Sequence, residues 1–261
     1  MMRLNNKVAL LAGVGERSSR ATALLFAKEG AKVAIAARRS EHLSETSSMI
    51  AEMGGEVIVV QGDGTLQDDA NRMVQDTVDA FGKLDILYNN VSGAFASNGK
   101  RLHEISLDDW QGVLDGILNS AYLLSRATLP FMLDNKQGVI LFVAASENVQ
   151  LMGNAAYGAG KAGIIQLTRN MAREYIDDRI RVNCIAPGFM QLSPWLGEKV
   201  DASREALYRD QDLEKRHGLP EDIAFAAVYL GSDEANWVTG QTLALDGGDD
   251  ILARREIPPA F

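Results

Sequence analysis

The chain has 261 residues, 46% hydrophobic and 23% charged, which suits one α/β domain with a sizeable core. Its formal net charge of -9 argues against nucleic acid or an anionic membrane surface as a partner. A single cysteine, Cys184, excludes an intrachain disulfide and makes a cysteine-based metal site implausible. Residues 1–7 are polar and lack the charged-then-apolar layout of a signal peptide. No apolar run downstream is long enough to span a bilayer, so a cytoplasmic setting is expected.

Short apolar runs alternate with longer amphipathic ones. Residues 8–12 read as a strand, and the segment after it, Ala12-Gly13-Val14-Gly15-Glu16-Arg17-Ser18-Ser19-Arg20, leads into a helix predicted over 20–29. Backbone amides at such a helix N-terminus form a ready anion site. Strand 32–36, helix 40–53, strand 56–61, helix 68–81 and strand 84–89 follow. A long helix over 107–133, a strand at 138–144, a helix over 158–176, a strand at 181–186, a helix over 220–230 and a last strand at 242–245 complete the series. Near-continuous apolar strands separated by helices predict a parallel sheet covered on both faces, a single-domain, Rossmann-type doubly wound α/β fold without an internal boundary. The longest stretch without a clear period, 189–219, follows a strand and is a candidate substrate lid.

Tyr157 and Lys161 stand four residues apart at the head of a predicted helix and therefore share a face. A cation beside a phenol favours the phenolate, so the tyrosine is expected below its usual pKa and able to trade protons near neutral pH. That service suits a carbonyl or alcohol undergoing hydride transfer rather than a hydrolysis. His42, His103 and His217 are scattered, read as surface or loop residues, and imply no metal. Met190, Phe189, Phe95 and Trp195 are candidates for an apolar pocket.

With the glycine turn, Tyr157 and Lys161, further segments complete a pattern: Asp63-Gly64, Asn89-Asn90-Val91-Ser92-Gly93, Arg181-Val182-Asn183, Pro187-Gly188, Val238-Thr239-Gly240-Gln241 and Asp246-Gly247-Gly248. In this order the chain resembles the short-chain dehydrogenase/reductase family along nearly its whole length. The resemblance implies that Tyr157 is the acid/base and that Lys161 holds the nicotinamide ribose. It implies that Ser146 helps polarise the substrate oxygen, that Asp63 with Gly64 meets the adenine, that Asn90 lines the cofactor cleft, and that Pro187 and Gly188 pass the nicotinamide. It also implies a homotetramer, in keeping with the apolar surface of helices 107–133 and 158–176. The second strand ends in Ala36-Ala37-Arg38-Arg39, where an Asp or Glu would select the 2′-hydroxyl of NAD; arginine suits a 2′-phosphate, so NADP(H) is favoured over NAD(H) with Arg38 as the main contact.

The sequence also departs from the family pattern. Lined up on Gly13, Arg17 and Ser19 occupy the places of the second and third glycines, so Arg17 either fills the space of the pyrophosphate or contacts it. Ser146 lies eleven residues before Tyr157, slightly closer than is usual, and a shift of register would put alanine in its role. Ile117 stands where a relay asparagine is usual, and Asn119, two positions on, cannot share its face. Leu192 replaces a common threonine, with Ser193 adjacent. Three readings stay open: a ketoreductase or alcohol dehydrogenase acting on a small-molecule carbonyl or alcohol, an enoyl- or dienoyl-thioester reductase, and a non-catalytic nucleotide-binding member. Gly13, five residues and Ser19 resemble the turn of divergent enoyl-thioester reductases. Asn89 to Phe95, with Leu118-Asn119-Ser120, resembles the dienoyl branch, which is expected to lack the tyrosine.

Overall fold

The computed structural model describes residues 2–92, 99–190 and 218–251. Among them, seven parallel strands form one sheet in the order β3-β2-β1-β4-β5-β6-β7. The strands are β1 (Val8–Ala12), β2 (Lys32–Ala37), β3 (Val57–Gln61), β4 (Ile86–Asn89), β5 (Gly138–Val143), β6 (Ile180–Pro187) and β7 (Thr242–Leu245). Their side chains alternate between two buried faces, which is why these strands read as unbroken apolar runs rather than as alternating ones. Leu10, Ala34, Leu87, Ile140 and Val182 point to one face and pack with α3 (Gln67–Phe81), α5 (Ser120–Asn135) and α7 (Ala155–Glu174). Leu11, Ile35, Tyr88, Leu141 and Ile185 point to the other, against α1 (Ser18–Lys28), α2 (Ser40–Glu52) and the helix after the undescribed segment, α8 (Pro220–Gly231). Each such fully buried aliphatic side chain contributes about 1.5–3 kcal/mol relative to exposure.

The order reverses between β1 and β4, and ligands of open α/β sheets sit beyond the strand ends at that point. The register brings the functional segments there: Ala12 lies opposite Ala36 on β2 and Asn89 on β4, so Gly13, Ala37 and Asn90 emerge along one edge. Phe142 pairs with both Asn89 and Cys184, so the segments after β5 and β6 emerge beside them.

The predicted strands agree with the observed ones to within two residues at each end. The helices differ more. The predicted helix over 107–133 is α4 (Leu107–Leu114) continued by one π turn, Asp115–Asn119, into α5. The helix expected from 158 begins earlier, at Ala155, because the Asn154 carboxamide accepts from the Tyr157 N–H at 2.9 Å and caps it. A short helix, α6 (Glu147–Met152), was not predicted; Ser146 caps it, its hydroxyl accepting from the Val149 N–H. Cys184 is buried in β6, as its apolar neighbours imply. Among the described residues no helix is long and apolar enough to cross a membrane.

Candidate active site

Gly13 opens the turn after β1 with φ of 84°, and a Cβ there would stand 2.5 Å from the Asn90 carbonyl oxygen. Only glycine permits both this conformation and this approach. The N–H groups of Gly13 and Val14 both donate to the Ala36 carbonyl, at 2.9 and 3.1 Å, which pins the turn to the end of β2. Arg17 takes the N-cap position of α1, whose first turn carries no acidic residue, and Glu16 just before it also lines the cleft. Ser19 is buried, and its hydroxyl accepts from the Asn90 side-chain amide at 2.8 Å, tying α1 to the end of β4.

Around this turn lies a cavity of about 530 Å³. Its walls include Gly13, Gly15, Arg17, Ser19, Arg38, Arg39, His42, Asp63, Gly64 and Asn90. A second cavity of about 250 Å³ holds Tyr157, Lys161, Pro187, Gly188 and Met190. Arg17, Ser18, Asn90 and Ser92 line both, so the two form one cleft along the carboxyl edge of the sheet. Eleven of the twelve residues expected to bind cofactor or carry the reaction thus meet in a single place, with Tyr157 and Lys161 at one end and Arg38 at the other. The donor set suits a dinucleotide: no side chain crowds Gly15, where an added Cβ would meet nothing within 4 Å, and three guanidiniums border the long arm of the cleft.

Arg38 is 66% exposed and its guanidinium lies 3.6 Å from the Asp63 carboxylate, bridging the ends of β2 and β3 over the cavity. Asp63 also accepts from the Thr65 N–H and hydroxyl, at 3.0 and 2.8 Å, and so is held rigidly. His42 corrects the surface-loop reading. Its ring lines the cavity from the first turn of α2, 3.5 Å from Glu16 and 3.5 Å from Arg39. The available signal was its position, three residues after Arg39 at a helix start.

At the other end, Lys161 is buried and donates to the Val143 carbonyl at 2.8 Å, with its ammonium 5.7 Å from the centre of the Tyr157 ring. Burial lowers the Lys161 pKa to about 8, while the nearby Cys184 thiol acts in the opposite direction. Burial also pushes Tyr157 up to about 12. Burial acts on the phenol in the direction opposite to the expected effect of the lysine, because desolvation disfavours the phenolate.

Ser146 is the residue the structure does not bring in. It is 2% exposed and caps α6, whereas Val143, Ala144 and Ala145 form the wall beside Tyr157. One or two residues of register decide this, and alanine holds the facing positions. Ile117 is buried in the π turn against Gly160, where an added Cβ would lie 3.1 Å from its Cδ1. Asn119 instead bonds to the exposed Asp115 carboxylate, as expected for a residue on another face. Phe95, Leu192, Ser193, Trp195 and His217 lie outside the described residues. Among the described residues no cluster of His, Cys, Asp or Glu could hold a metal.

Comparison with known proteins agrees with this geometry. The family model described as Enoyl-(Acyl carrier protein) reductase matches residues 13–249. A 3-oxoacyl-[acyl-carrier-protein] reductase of Thermotoga maritima is 33% identical over 250 residues, covering 95% of this chain and 99% of the relative. The crystal structure of a chain from Burkholderia xenovorans assigned to the short-chain dehydrogenases/reductases superposes with a TM-score of 0.88 at 32% identity, covering 97% of this chain and all of that one. This chain belongs to the short-chain dehydrogenase/reductase family. A further relative, glucose 1-dehydrogenase 2 of Bacillus subtilis, is 32% identical over 94% of this chain and 95% of its own length. The short-chain dehydrogenases/reductases are oxidoreductases that bind nicotinamide dinucleotides. The relatives' names span an acyl-carrier thioester and a sugar, so membership alone leaves the substrate class open.

Proposed function

We propose that this short-chain dehydrogenase/reductase reduces the ketone of a small molecule with NADPH, or oxidises the corresponding alcohol with NADP. The observation that carries the reading is the joining of the two cavities through Arg17, Ser18, Asn90 and Ser92, which sets the phosphate-binding turn and the Tyr157–Lys161 pair along one cleft. When bound, the nicotinamide supplies or accepts the hydride. Tyr157 then acts as proton donor to the carbonyl oxygen in reduction and as acceptor in the reverse sense. Its high pKa keeps it protonated at neutral pH, the form reduction needs. Lys161 holds the ribose by its ammonium and, once turned from the Val143 carbonyl toward it, brings positive charge nearer the phenol.

Gly13, Gly15 and the first turn of α1 receive the pyrophosphate, with Arg17 and Ser19 beside it. Asp63 and Gly64 border the adenine. Pro187 and Gly188 pass the nicotinamide. Arg38, exposed and adjoining Arg39 at the end of β2, supports the preference for a 2′-phosphate. Arg38→Asp should reverse that preference; a variant that still binds NADPH more tightly than NADH would sink it. Two further elements of the reading are a cytoplasmic setting and a homotetramer, the latter tested by light scattering on a sizing column.

Enoyl- or dienoyl-thioester reduction is the second reading, favoured by the alanine wall, which offers no serine hydroxyl beside Tyr157, and by the description of the family model. In that case Tyr157 stabilises an enolate oxygen. Reduction of an acetoacetyl thioester but not a crotonyl thioester by NADPH supports the first reading, and the converse supports the second.

A further inference from the structure

Beyond β7 the chain makes an acidic turn over residues 246–250 that lines neither cavity and yet contacts two walls of the cleft. Gly247 and Gly248 have φ of 67° and 93°, which reverses the chain so that the Asp246 carboxylate accepts from the N–H of Gly248 at 3.0 Å and of Asp250 at 2.8 Å. Held in this way, the Asp250 carboxylate accepts from the backbone N–H of Glu147 at 2.8 Å and of Asn148 at 2.9 Å, one through each oxygen. The Asn148 side chain returns the contact, donating to the Asp249 carbonyl and carboxylate, both at 3.0 Å.

These bonds matter because α6 has only six residues, far below the length at which a helix holds itself in water. Its own cap, Ser146, reaches the Val149 N–H at a long 3.4 Å. Asp250 satisfies the two amides preceding Val149 and places a negative charge at the positive end of the helix. What α6 contributes to the wall of the smaller cavity is Val149, which lines it together with Ala144, Ala145, Tyr157 and Lys161.

The same turn reaches the other wall. A Cβ on Gly188 would stand 2.6 Å from the Asp246 Cα, so the two backbones are in direct contact. The Gly188 N–H donates to Leu245 at 2.9 Å, and the Ser146 N–H donates to Pro187 at 2.8 Å.

We infer that Asp250 is a positioning residue: through the amides of Glu147 and Asn148 it sets the spacing between α6 and the Pro187-Gly188 segment, and so the width of the cleft where nicotinamide and carbonyl would meet. The ligand in this statement rests on the dinucleotide reading given above. The clamp itself is independent of it.

The test uses the full chain, wild type, Asp250→Ala and Asp250→Asn, in two arms. In hydrogen exchange without nucleotide, Asp250→Ala should speed exchange of the amides over 143–150 and at Gly188 by about tenfold, the scale of a lost helix cap, while the β1 and β4 amides stay unchanged. In fluorescence titration, Asp250→Ala should weaken NADPH by about fivefold yet leave adenosine 2′,5′-bisphosphate, which lacks the nicotinamide end, unaffected. Asp250→Asn keeps one acceptor oxygen and should recover part of both effects. Exchange confined to the turn itself, or equal weakening of the two ligands, overturns the inference. If the wild type binds neither nucleotide, the dinucleotide reading falls, and the exchange arm alone decides whether the turn holds both walls.

Discussion

Lys161 directs its ammonium to the Val143 carbonyl, 2.8 Å away, at the end of β5. The same ammonium stands over the Tyr157 ring, 5.7 Å from its centre. Burial then moves the two groups in opposite directions, Tyr157 up to about 12 from 10.0 and Lys161 down to about 8 from 10.5.

The first prediction concerns stability against pH. For Lys161 the unfolded chain binds the proton more tightly than the folded one, so stability rises as pH goes from about 8 to about 10.5. For Tyr157 the folded state holds the proton more tightly, so stability present below about 10 is lost as pH rises toward about 12. Urea unfolding at pH 7.5 and 9.5 should therefore show a gain at the higher pH that disappears in Lys161→Met. A gain of the same size in both proteins would contradict the assignment.

Gly153 holds the Tyr157 ring in place from behind. A Cβ there would stand 2.5 Å from the ring Cδ1, although the backbone at φ of -69° accepts alanine without strain. Gly153→Ala should displace the phenol and lower kcat by about 10²-fold, with Tm nearly unchanged. Full turnover in the variant would show that the ring does not need this seat.

Ile117, at the position where the sequence pattern leads one to expect a relay asparagine, is a buried apolar side chain packed on Gly160. Restoring the asparagine is expected to harm the protein rather than to improve it. Ile117→Asn should cost about 2–4 kcal/mol, since it removes buried aliphatic volume and brings in an amide facing an apolar wall. Denaturation midpoints measure the cost, and a rise in kcat would show that the relay is recoverable.

Ser146 caps α6 instead of facing the cleft, so Ser146→Ala should cost about 1 kcal/mol of stability and change kcat by less than about threefold, under 1 kcal/mol in barrier. A loss of two orders of magnitude in kcat with stability intact would return the hydroxyl to the reacting oxygen.

Much of the fold was legible because burial on both sheet faces leaves its mark directly as apolar runs such as 8–12 and 138–144. The cleft was legible through residues whose chemistry depends on local geometry: Gly13, which alone tolerates its φ, and Tyr157 with Lys161, which the helix period places together. Three features were not. The short helix α6 depends on Asp250, a hundred residues distant, and local propensity carries no trace of such a partner. The place of Ser146 depends on a register of one or two residues in a loop. The Tyr157 and Lys161 pKa values depend on how much water the folded cleft excludes, which spacing along a helix does not report.

The most direct test is fluorescence titration of the wild type with NADPH and NADH, with Tyr157→Phe alongside. The account predicts saturable binding, tighter for NADPH, and unchanged affinity in the Tyr157→Phe variant, whose turnover falls by about 10²–10⁴-fold. Binding of neither nucleotide would contradict it, and would identify Arg17 and Ser19 as changes that close the phosphate-binding turn.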